Sequence, residues 1–337
     1  MIRKISSRSW RSGVWKIGNV TIGNRIVAAP LAGISNPVYR KMCRDYGAGL
    51  TVSEMISDKA LHYGNVKTQE MCATVEGEHP VALQLFGSDP ETMAEASEYL
   101  TAHTDCDIID INMGCPVNKV LKAHAGSWLM QYPGLAYDVM KAVVDHTDRP
   151  VTVKIRAGFD SRHINCAEIA MAAEKAGIAA VAVHGRTRTQ MYSGSSDNRY
   201  IRMVREAVSI PVIGNGDIRT VADAKRMFDE TGCDAVMIGR GLIGRPFFLQ
   251  ELNAALSGGE YIEPSCPERL DLALSYAKDL CAYESEGTGI RMMRGIASWY
   301  IAGMPHAAGY KNRLSMMKSL AEMEEIINDY KQKLMSL

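Results

Sequence analysis

The segment Ile108 to Val120, IIDINMGCPVNKV, ends an apolar, β-branched run in Asn112, Gly114, Cys115 and Pro116. A strand that only packs does not need an amide, a thiol and a glycine–proline turn at its end. Glycine allows the backbone to turn sharply, and proline restricts the residue before it to an extended conformation, so the two together aim the Cys115 sulfur. A thiol so aimed is a candidate functional group. The plain alternative for Cys115 is a buried packing thiol.

Polar side chains recur where other apolar runs stop: Ser53, Glu54, Gln84, Lys154, Arg156, His184, Arg186, Asn215, Asp217 and Arg240. One such Gln or Asn is ordinarily a satisfied structural group, but so many at equivalent places are harder to dismiss. Lys154 lies inside VTVKIRAG, where a charge needs a partner. An anionic reduced flavin would suit it, with Gln84 and Asn112 bonding to ring carbonyls and nitrogens and His184 reaching the ring or a substrate carbonyl. The structural alternative is an ion pair of Lys154 with Glu54 or another strand-end acid. The glycine-rich stretches GNGD (214–217) and GRGLIG (239–244) would let backbone N–H groups approach a phosphate, with Arg240 adding a charge-assisted contact.

The elements that must position these residues are legible as runs. RIVAAP from 25, LTVSEM from 50, VALQLFG from 81, DIIDINMG from 107, VTVKIRAG from 151, AAVAVHGR from 179, PVIGNGD from 211 and AVMIGRG from 235 read as strands. Helical patterns such as DPETMAEASEYLTAHT, GLAYDVMKAVVDHT and TVADAKRMFDETG lie between them, the first and third with an Asp or Thr placed as an N-cap. Eight strands apolar enough to be buried on both faces, alternating with helices, predict a (β/α)8 barrel rather than a doubly wound open sheet. Such barrels place chemistry at the carboxyl ends of their strands, and commonly a phosphate after the seventh and eighth. WKIGNVTIGNRI reads as a hairpin ahead of the barrel. SGGEYIEPSCP has the content of a linker, and helical periodicity dominates afterwards. The expected division is 1–256 barrel with hairpin, 257–266 linker and 267–337 helical domain.

The bulk properties exclude several classes. Of 337 residues, 47% are hydrophobic and 23% charged, an ordinary globular balance. No run of about 18 apolar residues predicts a membrane span, and the basic start MIRKISSRSWRSGVWKIG has no apolar core of a secretion signal. The eight cysteines show no metal-binding spacing and read as reduced, mostly packed thiols, so no metal and a cytoplasmic location are expected. Net charge is zero, yet the first 44 residues carry nine Lys or Arg and no acid, and Gly287 to Ala321 carries five more (Arg291, Arg294, Lys311, Arg313, Lys318) with none. Such islands point to an anionic partner, with a merely solvated face as the alternative for each.

Taken together the motifs resemble the tRNA-dihydrouridine synthases, most closely the bacterial B subgroup. The resemblance is carried by AAPLAGISNPVYRKMCRDYGAGLTVSEM, DIIDINMGCPVNKV, AGSWLMQYP, VTVKIRAGF, VAVHGRTR, IPVIGNGDI and AVMIGRGLIGRPFF, in order, with RMMRGIASWYIAGMP similar to the family's C-terminal helical domain. It implies an FMN site on Pro30, Leu31 and Ala32, then Gln84, Lys154 and His184 around the ring, with the phosphate on Asn215, Gly216, Asp217, Gly239 and Arg240. It implies Cys115 as the acid that protonates C5 of uracil after hydride adds at C6, with NADPH, or NADH, as reductant. Asn112, Arg186, Arg291 and Arg294 would serve the substrate, a flipped-out uridine of the tRNA D-loop. Trp299 and Tyr300 would either stack on RNA or form the core of the helical domain. Leu31, Asn118 and Trp128 depart from the family's usual residues. A monomer without membrane attachment is expected. The rival readings are an FMN barrel reductase of a free pyrimidine or similar enone and a barrel that binds RNA or a metabolite without catalysis.

Overall fold

The computed structural model describes residues 13–336; the basic residues before Gly13, part of the N-terminal island, lie outside them. Two short strands come first, β1 (Trp15–Ile17) and β2 (Val20–Ile22), paired antiparallel. The next five belong to the barrel: β3 (Ile26–Ala28), β4 (Leu50–Ser57), β5 (Val81–Phe86), β6 (Ile108–Met113) and β7 (Val151–Arg156). A small ribbon of β8 (Gly158–Asp160) and β9 (His163–Ile164) follows, then β10 (Ala180–His184), β11 (Val212–Asn215) and β12 (Ala235–Ile238). The parallel order β3-β4-β5-β6-β7-β10-β11-β12 closes when β12 pairs with β3, giving the expected (β/α)8 barrel.

Strand alternation divides the apolar residues into two cores. Leu83 and Leu85 of β5, Ile109 and Ile111 of β6 and Val153 and Ile155 of β7 face outward and pack under the helices. Val27, Leu50, Val52, Ala82, Ile108, Ala182, Ile213 and Met237 face inward and form a separate cluster. The hairpin seals the amino-terminal end of that cluster with Ile17 and Ile22, both 0% exposed. Further along, the inward register turns polar: Gln84, Asp110, Asn112, Thr152, Lys154, His184 and Asn215. Pairing sets Asp110 beside Gln84 and Thr152, Asn112 beside Lys154, and His184 beside Arg156 and Asn215. Between β4 and β5 the register shifts between Val52 and Met55, where Ser53 and Glu54 lie.

Helix starts follow the expected capping: Asp89 accepts from the Glu91 amide, and Thr220 forms a capping box with Asp223. The helix Phe248–Ser257 packs on β3 and completes the barrel's helical ring; beyond it come helices Cys266–Tyr283, Glu286–Tyr300, Ala307–Met316 and Leu320–Met335. Two of the contacts that dock these helices on the barrel bear on the sequence reading. Tyr300, 1% exposed, points its hydroxyl at the Met42 sulfur (3.7 Å) in the first barrel helix. At Gly244, with φ +68°, an added Cβ would lie 2.4 Å from the Trp299 carbonyl carbon, so this glycine of GRGLIG is required by helix contact. Tyr300 is therefore core, whereas Trp299 remains 43% exposed. Among the described residues no helix is long and apolar enough to cross a membrane.

If the hairpin is the barrel's floor, Ile22→Ala should lower unfolding free energy by about 3 kcal/mol in urea titrations. A loss below about 1 kcal/mol would show that the hairpin seals nothing.

Candidate active site

At the carboxyl ends of the strands the barrel opens into a cavity of about 340 Å³. The first loop contributes Pro30, Leu31 and Ala32, and the strand ends contribute Gln84, Asn112, Cys115, Lys154 and His184. The last two loops contribute Asn215, Gly216, Asp217, Gly239 and Arg240. Residues drawn from across the sequence thus face one space. Arg186, Arg291 and Arg294 do not line it.

The Gly114–Cys115 turn is held from several sides. Asn112 Oδ1 accepts from the amides of Gly114 (3.1 Å) and Cys115 (2.9 Å). Arg156 Nε donates to the Gly114 carbonyl (2.6 Å), and Ser127 Oγ donates to that of Cys115 (2.8 Å). The sulfur-bearing residue packs with Val120 and Ala125, with Met55 and Phe86 beside them. Burial raises the thiol pKa, against a smaller lowering by the Val117 amide and the charges of Arg156 and Lys154, so the group keeps its proton at neutral pH.

Behind the turn runs a line of polar groups. Asn112 Nδ2 donates to Gln84 Oε1 (2.8 Å), and Gln84 Nε2 donates to Asp110 Oδ2 (2.6 Å). Thr152 Oγ1 donates to the other Asp110 oxygen (2.5 Å). The pairing of Lys154 with Glu54 that the sequence left open does not form: Glu54 accepts instead from the Gly33 amide (2.6 Å). No carboxylate among the described residues lies within ion-pair distance of the Lys154 ammonium. Burial, then the charge of Arg156, pushes its pKa down to about 8, with Asp110 pulling the other way.

His184 and Arg186 define each other. All five N–H groups of Arg186 have acceptors: the carbonyls of Ser193 and Gly194, both oxygens of Asp217, and His184 Nε2 at 3.4 Å. Because a guanidinium only donates, Nε2 accepts and the His184 proton sits on Nδ1. Burial, followed by the charges of Lys154, Arg156, Arg186 and Arg240, holds the imidazole pKa well below its ordinary value, so the ring is neutral. Arg186 is thus a buried tie between loops, with no donor left over for a ligand.

The rim follows the same economy. Asp217 accepts from Arg186 and from the Ser196 amide (2.8 Å). Burial would raise its pKa, but the Arg186 hydrogen bonds and charge hold it below the usual carboxylate range. The carboxylate therefore organises the loop, and any anion here would meet backbone N–H groups. Gly216, at φ +140°, leaves space that a Cβ would close, since it would lie 2.0 Å from Ser196 Oγ. Arg240 lies over the Tyr192 ring at 4.4 Å.

Tyr192, Asp110 and the clamping role of Arg156 escape a sequence reading. Tyr192 sits in an irregular loop with no periodicity to mark it, and Asp110 reads as an interruption of a strand. A charge inside an apolar run, the signal that exposed Lys154, marks Asp110 too. Outside the cavity, Trp128 stacks on His124 (4.5 Å) and meets a tilted Tyr132 ring (4.3 Å). Arg291 and Arg294 lie exposed on helix Glu286–Tyr300, and neither pairs with a carboxylate among the described residues. No cluster of metal-ligating side chains occurs among the described residues.

A (β/α)8 barrel that converges a protonated thiol, two linked amides, a half-buried lysine and glycine-rich loops on one cavity has the make-up of an enzyme. The chain matches the dihydrouridine synthase family over residues 26–335 and belongs to it. It is 40% identical to tRNA-dihydrouridine synthase B of Vibrio cholerae over 318 residues, covering 94% of this chain and 98% of that one. A probable tRNA-dihydrouridine synthase of Rickettsia bellii is 37% identical, covering 94% and 97%. Among solved structures, the old yellow enzyme of Trypanosoma cruzi superposes with a TM-score of 0.56 at 16% identity, covering 78% of this chain and 96% of that one. A variant of NCR from Zymomonas mobilis gives 0.53 at 17% identity, covering 72% and 90%. Those two show a shared fold.

Lys154 gives the site a pH signature. Its folded pKa of about 8 lies below the ordinary value of 10.5, so between the two the unfolded chain binds more protons and stability rises with pH. Subtracting the urea-derived stability of Lys154→Met from that of the unsubstituted protein should leave a difference that climbs from pH about 8 to about 10.4. A flat difference would place the ammonium in ordinary solvent.

Proposed function

We propose that the cavity holds FMN and that the protein reduces the C5–C6 double bond of uridines in the tRNA D-loop, acting in the cytoplasm as a monomer. The observation that carries this reading is that Cys115 shares one cavity with Gln84, Asn112, Lys154, His184 and both glycine-rich loops. The relatives named tRNA-dihydrouridine synthase B support the substrate.

The donor set fits the cofactor. Lys154 has no carboxylate of its own to neutralise and would face an electron-rich ring. Gln84 and Asn112 each have a second amide N–H beyond those already bonded, and His184 has its Nδ1–H, so hydrogen-bond donors predominate. The Gly216 and Gly239 backbones with Arg240 would take the phosphate, with Asn215 held in place by its bond to the Met237 carbonyl (2.7 Å). A bound flavin supplies hydride transfer, here to C6 of uracil, with NADPH, or NADH, restoring it.

The chain's own residues do the rest. Reduction at C6 leaves negative charge over C5 and O4, and C5 must take a proton. Cys115 donates it from sulfur; burial keeps that sulfur protonated beforehand, while Lys154 and Arg156 favour the thiolate left behind. Asn112 holds the turn and borders the base. The helical region 267–337 would bind the tRNA, with Arg291 and Arg294 on phosphates. Arg186, expected to touch substrate, would serve it by fixing the Asp217 loop and the His184 tautomer.

Cys115→Ala should bind FMN and accept electrons from NADPH at the usual rate yet form no dihydrouridine in nucleoside analysis of treated tRNA; full product would remove the acid assignment. Burial raises the Cys115 thiol above its ordinary range, so kcat should hold level through neutral pH, and a fall centred near pH 7 would contradict the assignment. Arg291→Gln with Arg294→Gln should lower the slope of log affinity for tRNA against log salt by about 2, leaving flavin reduction unchanged. An unchanged slope, or equal activity on free uracil, would detach the tail from the substrate.

A further inference from the structure

We propose that Asp110 is a positioning residue, whose carboxylate inside the barrel fixes the direction of the Gln84 and Asn112 amides and through them holds the Gly114–Cys115 turn. Asp110 is 3% exposed, at the level where the inward register changes from Ile108 and Ala82 to polar groups. A leucine or valine would fill that depth without the cost of burying a carboxylate, so the charge calls for a reason.

The reason lies in hydrogen-bond direction. A carboxylate accepts on every side and donates on none. Gln84 must therefore turn its NH2 toward Asp110, as it does at 2.6 Å, which leaves Oε1 pointing away. Only a donor can meet Oε1, and Asn112 Nδ2 does at 2.8 Å. Asn112 Oδ1 is then the atom left to face the amides of Gly114 and Cys115. Each step removes one of two amide orientations, and the Gly114 and Cys115 backbone N–H groups, which can only donate, require the same direction from the other end, so the acceptor-only Asp110 completes a series fixed at both ends. Two anchors keep its ends in place: Thr152 Oγ1 on Asp110 (2.5 Å) and Ser53 Oγ accepting from the Gln84 backbone amide (2.9 Å). The series crosses β5, β6 and β7 at neighbouring register positions, so the barrel supplies its spacing.

An asparagine at 110 breaks this logic, because it can offer NH2 to Gln84 Oε1 and permit the reversed series. Asn112 would then lose its grip on the two amides of the turn. The hydrogen-bond argument stands on the chain alone; that the turn presents a proton donor rests on the proposed function.

The test follows alkylation of Cys115 by iodoacetamide, resolved from the other cysteines by peptide mass spectrometry on FMN-loaded protein without tRNA. Asp110→Asn should raise the Cys115 labelling rate and lower kcat for dihydrouridine formation by roughly tenfold each, with KM for tRNA within about twofold. Asp110→Asn combined with Gln84→Glu restores an amide–carboxylate pair in which residue 84 still accepts from Asn112. Because Gln84 also borders the cofactor, the comparison is made at equal FMN occupancy, and there the double variant should label at the unsubstituted rate. Unchanged labelling in the single variant, or labelling in the double variant as fast as in the single, would overturn the proposal. If the single variant does not fold, the double variant decides alone: slow labelling supports the series and fast labelling refutes it. Labelling reads the turn whether or not tRNA is reduced, so an unprotonated uridine and an unheld turn are told apart.

Discussion

Closure of the barrel is the constraint on which everything else rests. Eight strands paired in a ring leave no edge, so each strand must send alternate residues into one shared interior. At the hairpin end that interior is dry and filled by Ile, Leu, Val, Ala and Met. Two or four residues further along the same strands, the same register delivers Gln84, Asp110, Asn112, Lys154, His184 and Asn215. These side chains converge because they have no other direction in which to point. Loops supply what alternation cannot: the Cys115 turn, the glycine-rich rim and the Arg186 tie.

Burial then sets protonation. The walls collect cations: Lys154, Arg156, Arg186 and Arg240 all bear on His184, which is neutral as a result. The same dry surroundings lower Lys154 and raise Cys115, so a thiol remains a thiol within reach of positive charge. Asp110 and Asp217 answer the excess, one below the cavity and one at its rim, and each is already engaged by protein donors. What is left faces the cavity as a field suited to an anion. The Arg186–Asp217 bond is bidentate, with the arginine 2% exposed, so cutting it would leave a buried charge unpaired and free two loops together.

The parts of this architecture legible in the sequence were those written in short-range patterns. The eight apolar runs, the capped helices between them and the GNGD and GRGLIG stretches stand out because strand period, cap chemistry and glycine content are local. Lys154 was conspicuous for the same reason. Direction and partner were not legible. Nothing in VAVHGRTR says that every Arg186 donor is taken within its own neighbourhood, or that Gly244 exists to admit the Trp299 backbone rather than a phosphate. Asp110 was hidden because its worth depends on Gln84 and Thr152, distant in sequence and adjacent only once the strands pair. Tyr300 shows the converse: an aromatic beside arginines resembles an RNA contact until a helix turns it into the core.

The account stands or falls on what faces the Cys115 sulfur. The most direct measurement is a crystal structure of the protein loaded with FMN. The expected result is an isoalloxazine ring beside Lys154 and Gln84, with Sγ of Cys115 facing it across a gap of about 7 Å, room for a pyrimidine at contact distance from both. A sulfur turned away from the ring, or a ring bound elsewhere, would contradict it.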